Sequence, residues 1–137
     1  MSKKYTSEEY IPVEVWGKDH WSTLAYIDAL MVDHKGKFEM KGDARMRSNR
    51  RHFRLMPTPN GVTMSPEHGS RLLDGSIVAG HDDWCCVQDF ANAGLLNRTP
   101  EQLEPGVVFK LSTKGNELVE RLRVHKKNGG TFSNFKV

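Results

Sequence analysis

The distribution of apolar residues predicts an α+β fold gathered into one domain. Three observations lead there. The chain has 137 residues, enough for one hydrophobic core and little more. Apolar residues recur at three- and four-residue steps in two stretches, Leu24, Ile27, Leu30, Met31 and Trp84, Val87, Phe90, Ala91, which is the period of an amphipathic helix. Short β-rich runs accompany them, notably Val107 to Leu111, and Asp74-Gly75 between two apolar runs is the strongest hairpin signal in the chain.

Taken in order, residues 1–10 read as a polar, flexible arm, residues 11–130 as the compact domain and residues 131–137 as a short tail. Ile11, Val13 and Val15 alternate with Pro12, Glu14 and Trp16, predicting an N-terminal strand that Pro12 confines to an edge or a start. Gly17 ends it. Asp19 or Ser22 is suited to cap a helix running to about Asp33, where His34-Lys35-Gly36 supplies stop signals. Residues 37–56 fit neither period, although Asp43 could cap a basic helix reaching Arg54. Pro57, Pro59 and Asn60-Gly61 impose a break and a turn, with a loop to Gly69 before the hairpin at Arg71 to Val78. Asp82 and Asp83 precede Trp84 in the first turn of the next helix, where the helix dipole favours acids, and Gly94 stops it. A polar loop from Asn97 to Gly106 leads to the strand at Val107 to Leu111. Ser112 or Thr113 then caps a last helix carrying Leu118, Val119 and Leu122, which Gly129-Gly130 ends.

The composition excludes several classes. No stretch approaches the roughly 18 apolar residues that a membrane span needs, and Met1 to Tyr10 is polar, so a cytoplasmic protein with no membrane partner is expected. Cys85 and Cys86 are adjacent, which is neither a disulfide framework nor the CxxC spacing of zinc and redox pairs. The net charge of +3 is too small to demand a polyanion partner. Its distribution says more. Residues 41–54 hold six cations (Lys41, Arg45, Arg47, Arg50, Arg51, Arg54) against Asp43 alone, and residues 110–127 hold six more against Glu117 and Glu120. The remainder of the chain is net acidic.

Read as a unit, the second half is a helix, Ala93-Gly94-Leu95-Leu96, a polar loop, Val107 to Leu111, and then Leu111-Ser112-Thr113-Lys114-Gly115 opening a helix. Over about residues 82–127 this resembles the closing half of a winged-helix domain of the bacterial repressor type. The resemblance implies a DNA-facing helix at residues 82–93, a wing at 97–106 that contacts the duplex backbone, and a module that commonly works as a homodimer. The sequence departs from that pattern in its charges. The helix offers Asp82, Asp83 and Asp89 with only Gln88 and Asn92 as neutral readers of bases, and the wing sets Arg98 against Glu101 and Glu104.

The arginine-rich segment is therefore the stronger pointer to nucleic acid. Arg45, Arg47, Arg50, Arg51 and Arg54 can neutralise phosphates, and the planar guanidinium fork pairs with phosphate or guanine through two hydrogen bonds. Lys126 and Lys127 are secondary phosphate contacts. The bland reading of the same residues is a solvated basic face or an internal partner for the acidic helix.

Catalytic signals are weak by comparison. Six histidines invite a metal site, but none falls in HExxH or another spacing that sets two ligands on one helical face. His81-Asp82-Asp83 is the most suggestive cluster, yet it reads more simply as a helix start than as a metal site. Asp19-His20 is an acid-base neighbour pair whose members would point apart on a helix. Cysteine packing explains Cys85 and Cys86 better than an activated thiol does, and Trp16, Trp21 and Trp84 read as core or interface anchors. No catalytic residue, metal site or cofactor is expected. The sequence reading is thus a small non-catalytic nucleic-acid-binding or regulatory protein. Its first rival is a protein-binding inhibitor or adaptor, of phage or plasmid type, gripping a partner with Asp82, Asp83, Trp84 and Asp89. The second is a metal-dependent hydrolase built on His81, Asp82 and Asp83.

Overall fold

In the computed structural model the described residues are 5–6, 9–33, 38–39, 69–81, 83–98 and 108–137. Helix α1 is Lys18–Asp33, β1 is Phe38–Glu39, β2 is Gly69–Arg71 and β3 is Ile77–Ala79. Helix α2, Asp83–Asn92, is followed by β4, Leu96–Arg98, then β5, Val108–Leu111, and α3, Thr113–Lys127. Short 3-10 turns lie at Val13–Val15 and Phe132–Asn134. The architecture is α+β, as expected: helices packed with two small antiparallel sheets. The expected basic helix at 43–54, the double-proline break and residues 99–106 of the expected wing lie outside the described residues.

The sheets follow local signals. β2 and β3 form the hairpin around Asp74-Gly75, with Ser70 opposite Val78 and Arg71 opposite Ile77. Gly75 takes a φ of 91°, a value that residues with a Cβ rarely adopt. The second sheet has the order β1-β5-β4, with Phe38 opposite Phe109 and Leu96 opposite Leu111. The strand β5 is therefore central, and the crossover from β1 encloses the hairpin and α2 in sequence.

The N-terminal segment corrects one expectation. Residues 13–15 form a 3-10 turn rather than a strand, closed by Val15 N–H to Pro12 O and Trp16 N–H to Val13 O. The indole of Trp16 donates back to Ile11 O at 2.7 Å, which holds the turn and sends both Ile11 and Trp16 inward. Residues 131–137, the short tail, are anchored on the core: Phe135 is buried and meets the Trp21 ring edge-on at 4.7 Å.

The core lies between the helices. Trp21, Leu24, Ile27 and Met31 of α1 meet Cys86, Val87 and Phe90 of α2 and Leu118, Val119 and Leu122 of α3, with Leu96 and Leu111 from the sheet and Leu95 just before it. Trp16 and Trp21 are core residues and Trp84 is half-buried against them, in keeping with their reading as anchors. Two close approaches fix α3. Ser112 caps it by accepting from Gly115 N–H at 3.0 Å, and Gly115 lies directly against the carbonyl of Leu95, where a Cβ would collide with that oxygen. Across the molecule, Arg123 of α3 grips Asp28 of α1 with two guanidinium nitrogens. Among the described residues, no helix is long and apolar enough to cross a membrane.

Candidate functional site

Helix α1 begins where Gly17 presses against the backbone carbonyls of Arg71 and Leu72, a contact that leaves no room for a side chain. Its first turn therefore faces the hairpin on one side and the core on the other. Asp19 takes the hairpin side, its Oδ2 accepting from Arg71 N–H at 2.6 Å. His20 takes the core side, so the two neighbours do point apart. The imidazole of His20 stacks on Trp16 at 4.9 Å with an 8° interplanar angle.

Asp89 is the hub of what lies there. Its Oδ2 is 2.7 Å from His20 Nε2 and 2.8 Å from His81 Nε2, and its Oδ1 accepts from Ile11 N–H at 3.1 Å. His81 arrives from the end of the hairpin, just after Gly80. Its Nδ1 is 2.6 Å from the hydroxyl of Ser70 on β2. Ser70 Oγ is also 3.2 Å from His81 O and 3.6 Å from Cys86 Sγ, and that sulfur is 3.8 Å from His81 Nδ1. Five polar side chains from α1, β2, the segment after β3 and α2 thus meet inside the core, none more than 2% exposed.

The proton positions follow from the partners. Burial alone would push the Asp89 carboxyl up, but the hydrogen bonds from His20, His81 and Ile11 N–H together hold it below the usual carboxylate value. Asp89 is then an anion that accepts from three donors. Facing that anion, each imidazole donates through Nε2–H, and in the neutral His20 ring this leaves Nδ1 as a lone pair. His81 Nδ1 lies 2.6 Å from the Ser70 hydroxyl, while His20 Nδ1 is buried with no hydrogen-bond partner among the described residues. Burial is the main reason His20 is held neutral, its pKa lowered from 6.5 to about 4 despite the hydrogen bond to Asp89 that opposes this. The contact between them is accordingly a hydrogen bond from a neutral ring to a carboxylate rather than an ion pair.

Ser70, His81 and Asp89 have the connectivity of a hydroxyl, an imidazole and a carboxylate in series, the set used for nucleophilic catalysis. A nucleophile must reach its substrate. Ser70 and His81 are 0% exposed, so in this arrangement the series serves as a buried polar brace. The same cluster has metal-ligand chemistry. One ring nitrogen each from His20 and His81, together with Cys86 Sγ, lie within 4.8 Å of one another.

The residues singled out from sequence fare differently. Arg45, Arg47, Arg50, Arg51, Arg54 and Asp82 lie outside the described residues. Lys126 and Lys127 are exposed in the last turn of α3, with Lys126 Nζ 4.3 Å from the centre of the Phe132 ring. Asp83 opens α2 and Trp84 is half-buried. Asp89 is a correction, since a 2% exposed carboxylate fastened by three donors is no surface contact for a protein partner. The His81 ring is turned into the core with both nitrogens engaged, and the side chains of Asp82 and Asp83, its partners in the hydrolase reading, lie outside the described residues. Sequence reasoning missed His20, Ser70 and Cys86 as partners. The available signal was a polar residue inside an apolar stripe: His20 is in phase with Leu24 and Ile27, and Asp89 falls between Val87 and Phe90. No protein-family model, curated protein or solved structure matches the chain.

Proposed function

We propose that the protein is a non-catalytic nucleic-acid-binding regulator whose duplex-facing element is α2, with cations from other segments anchoring phosphates. The observation that carries this reading is the division of α2 into two faces. Cys86, Val87, Asp89 and Phe90 are buried, whereas Gln88 and Asn92, one helical turn apart, are exposed. Asp89, one of the three acids that count against DNA, is thereby removed from the surface. Gln and Asn are the side chains that pair with adenine edges in a major groove.

The surrounding order supports the same reading. A helix, a two-stranded unit and a further helix follow one another, and the early strand β1 adds to β5, an arrangement in keeping with a winged-helix-like module. Asn97 and the exposed Lys110 are directly opposed on β4 and β5, at the base of the expected wing. Lys126 and Lys127 at the end of α3 and the arginines at 45–54 would supply phosphate contacts.

Fluorescence anisotropy with a labelled mixed-sequence duplex tests this reading. Affinity is expected to fall steeply with salt, and replacing Lys126 and Lys127 by Ala lowers the slope of log K against log salt by about 2. Absence of binding at low salt, or binding that ignores salt, would overturn it in favour of a protein-binding adaptor.

A further inference from the structure

We infer that His20, His81 and Cys86 form a structural site for a thiophilic divalent cation of the zinc class, with Asp89 as the carboxylate that orients both imidazoles. The first support is proximity. A nitrogen from each ring and Cys86 Sγ fall within 4.8 Å of one another, although the residues come from the first turn of α1, the segment after β3 and the interior face of α2. The 3.8 Å between Cys86 Sγ and His81 Nδ1 is close to the separation of two ligands bound tetrahedrally to one zinc ion.

The second support is the tautomer. In the tautomer that donates to Asp89 Oδ2 through Nε2–H, each ring keeps a lone pair on Nδ1, the form in which imidazole binds a metal. A carboxylate behind a ligating imidazole is the common outer-shell partner of zinc sites. Here one carboxylate serves two rings. The third support is an unexplained atom: His20 Nδ1 is the buried side-chain nitrogen or oxygen that lacks a hydrogen-bond partner among the described residues, and a bound cation would satisfy it.

The donor set decides the class of ion. Two imidazoles and a thiolate favour zinc over magnesium or calcium, which take oxygen ligands. Binding forms bonds to two nitrogens that already bear lone pairs and to one sulfur, so the one proton released from these three ligands is that of Cys86. The Ser70 hydroxyl gives up His81 Nδ1 as acceptor and has His81 O, 3.2 Å away, as its alternative. The ligands are 0% exposed, so such an ion would tie α1, the hairpin and α2 together.

The full-length protein, purified without chelator from zinc-supplemented cells, is assayed for metal by mass spectrometry and for thermal midpoint with and without chelator. About one zinc per chain is expected, with a midpoint that falls by roughly 5 °C or more when the metal is withdrawn. Cys86→Ala is expected to reduce the zinc content at least tenfold, while Cys85→Ala, which alters the half-buried neighbour outside the cluster, keeps it. Cobalt substitution of the unaltered protein should give a thiolate-to-cobalt charge-transfer band, a readout that survives if Cys86→Ala fails to fold. A metal-free protein whose midpoint ignores both added zinc and chelator would overturn the inference, as would full zinc content in Cys86→Ala or bound cobalt without the thiolate band.

Discussion

Asp89 receives donors from three separate segments, so its carboxylate fastens the N-terminal turn, α1 and the end of the hairpin to α2 at one point. A buried anion is tolerable only while those donors are in place. Asp89→Asn keeps the shape, removes the charge and sets an amide N–H against one of the donors. Urea unfolding is expected to show a loss of about 2–4 kcal/mol; a change under about 0.5 kcal/mol would mean the cluster holds little together. His20 gives the same site a pH dependence in chelator-treated protein. Its pKa is about 4 in the folded chain against 6.5 for an unperturbed histidine, so as pH falls the unfolded chain takes up the proton first. Stability from this group is full above about pH 6.5 and drains away towards pH 4, by roughly 3 kcal/mol in total. Asp89, whose pKa is lowered, adds its own loss only at still lower pH, below the ordinary carboxylate value. Urea midpoints at pH 7 and pH 4.5 for the unaltered chain and His20→Gln check this, the variant being expected to lose most of the decline across that interval.

At the scale of elements, α3 is where sequence and structure agree most closely. Ser112 caps it, and its hydroxyl also donates to Gly94 O at 2.5 Å, joining the helix start to the end of α2. Ser112→Ala should cost about 1 kcal/mol or somewhat more, since two hydrogen bonds go with the hydroxyl. Gly115→Ala should cost about 1–3 kcal/mol, because the added Cβ meets the Leu95 carbonyl, which α3 and β4 hold from both sides. Chemical denaturation of both variants decides the matter, and a Gly115→Ala protein as stable as the parent would show that α3 can move away freely. These features are legible because caps, turn glycines and helical stripes act over four or five residues. The turn at 13–15 reads as a strand because Ile11, Val13 and Val15 alternate, while the force that bends the chain, the Trp16 indole on Ile11 O, is not encoded in period. The polar cluster is hidden for a related reason. Asp89 lies 69 residues from His20, and only the packing of α1 on α2 brings them together.

For the whole molecule, the decisive feature is the way α2 divides its labour. Inward, it supplies Asp89 and Cys86 to a cluster that joins α1 to the hairpin; outward, it presents Gln88 and Asn92. Cations collect on the surface of α3, where Arg121, Lys126 and Lys127 are exposed, and Arg123 ties that helix to α1 through Asp28. Under the proposed function, charge and reading face are thus carried by different elements. Their contributions separate in a selection from a random duplex pool, run in parallel with the unaltered chain and with Gln88→Ala/Asn92→Ala. The expected result is a short enriched motif for the unaltered chain that the double variant loses, with thermal midpoints within about 1 °C because neither side chain is buried. The same motif from both proteins, or no motif from either, would contradict the assignment of α2 as the element that reads the duplex.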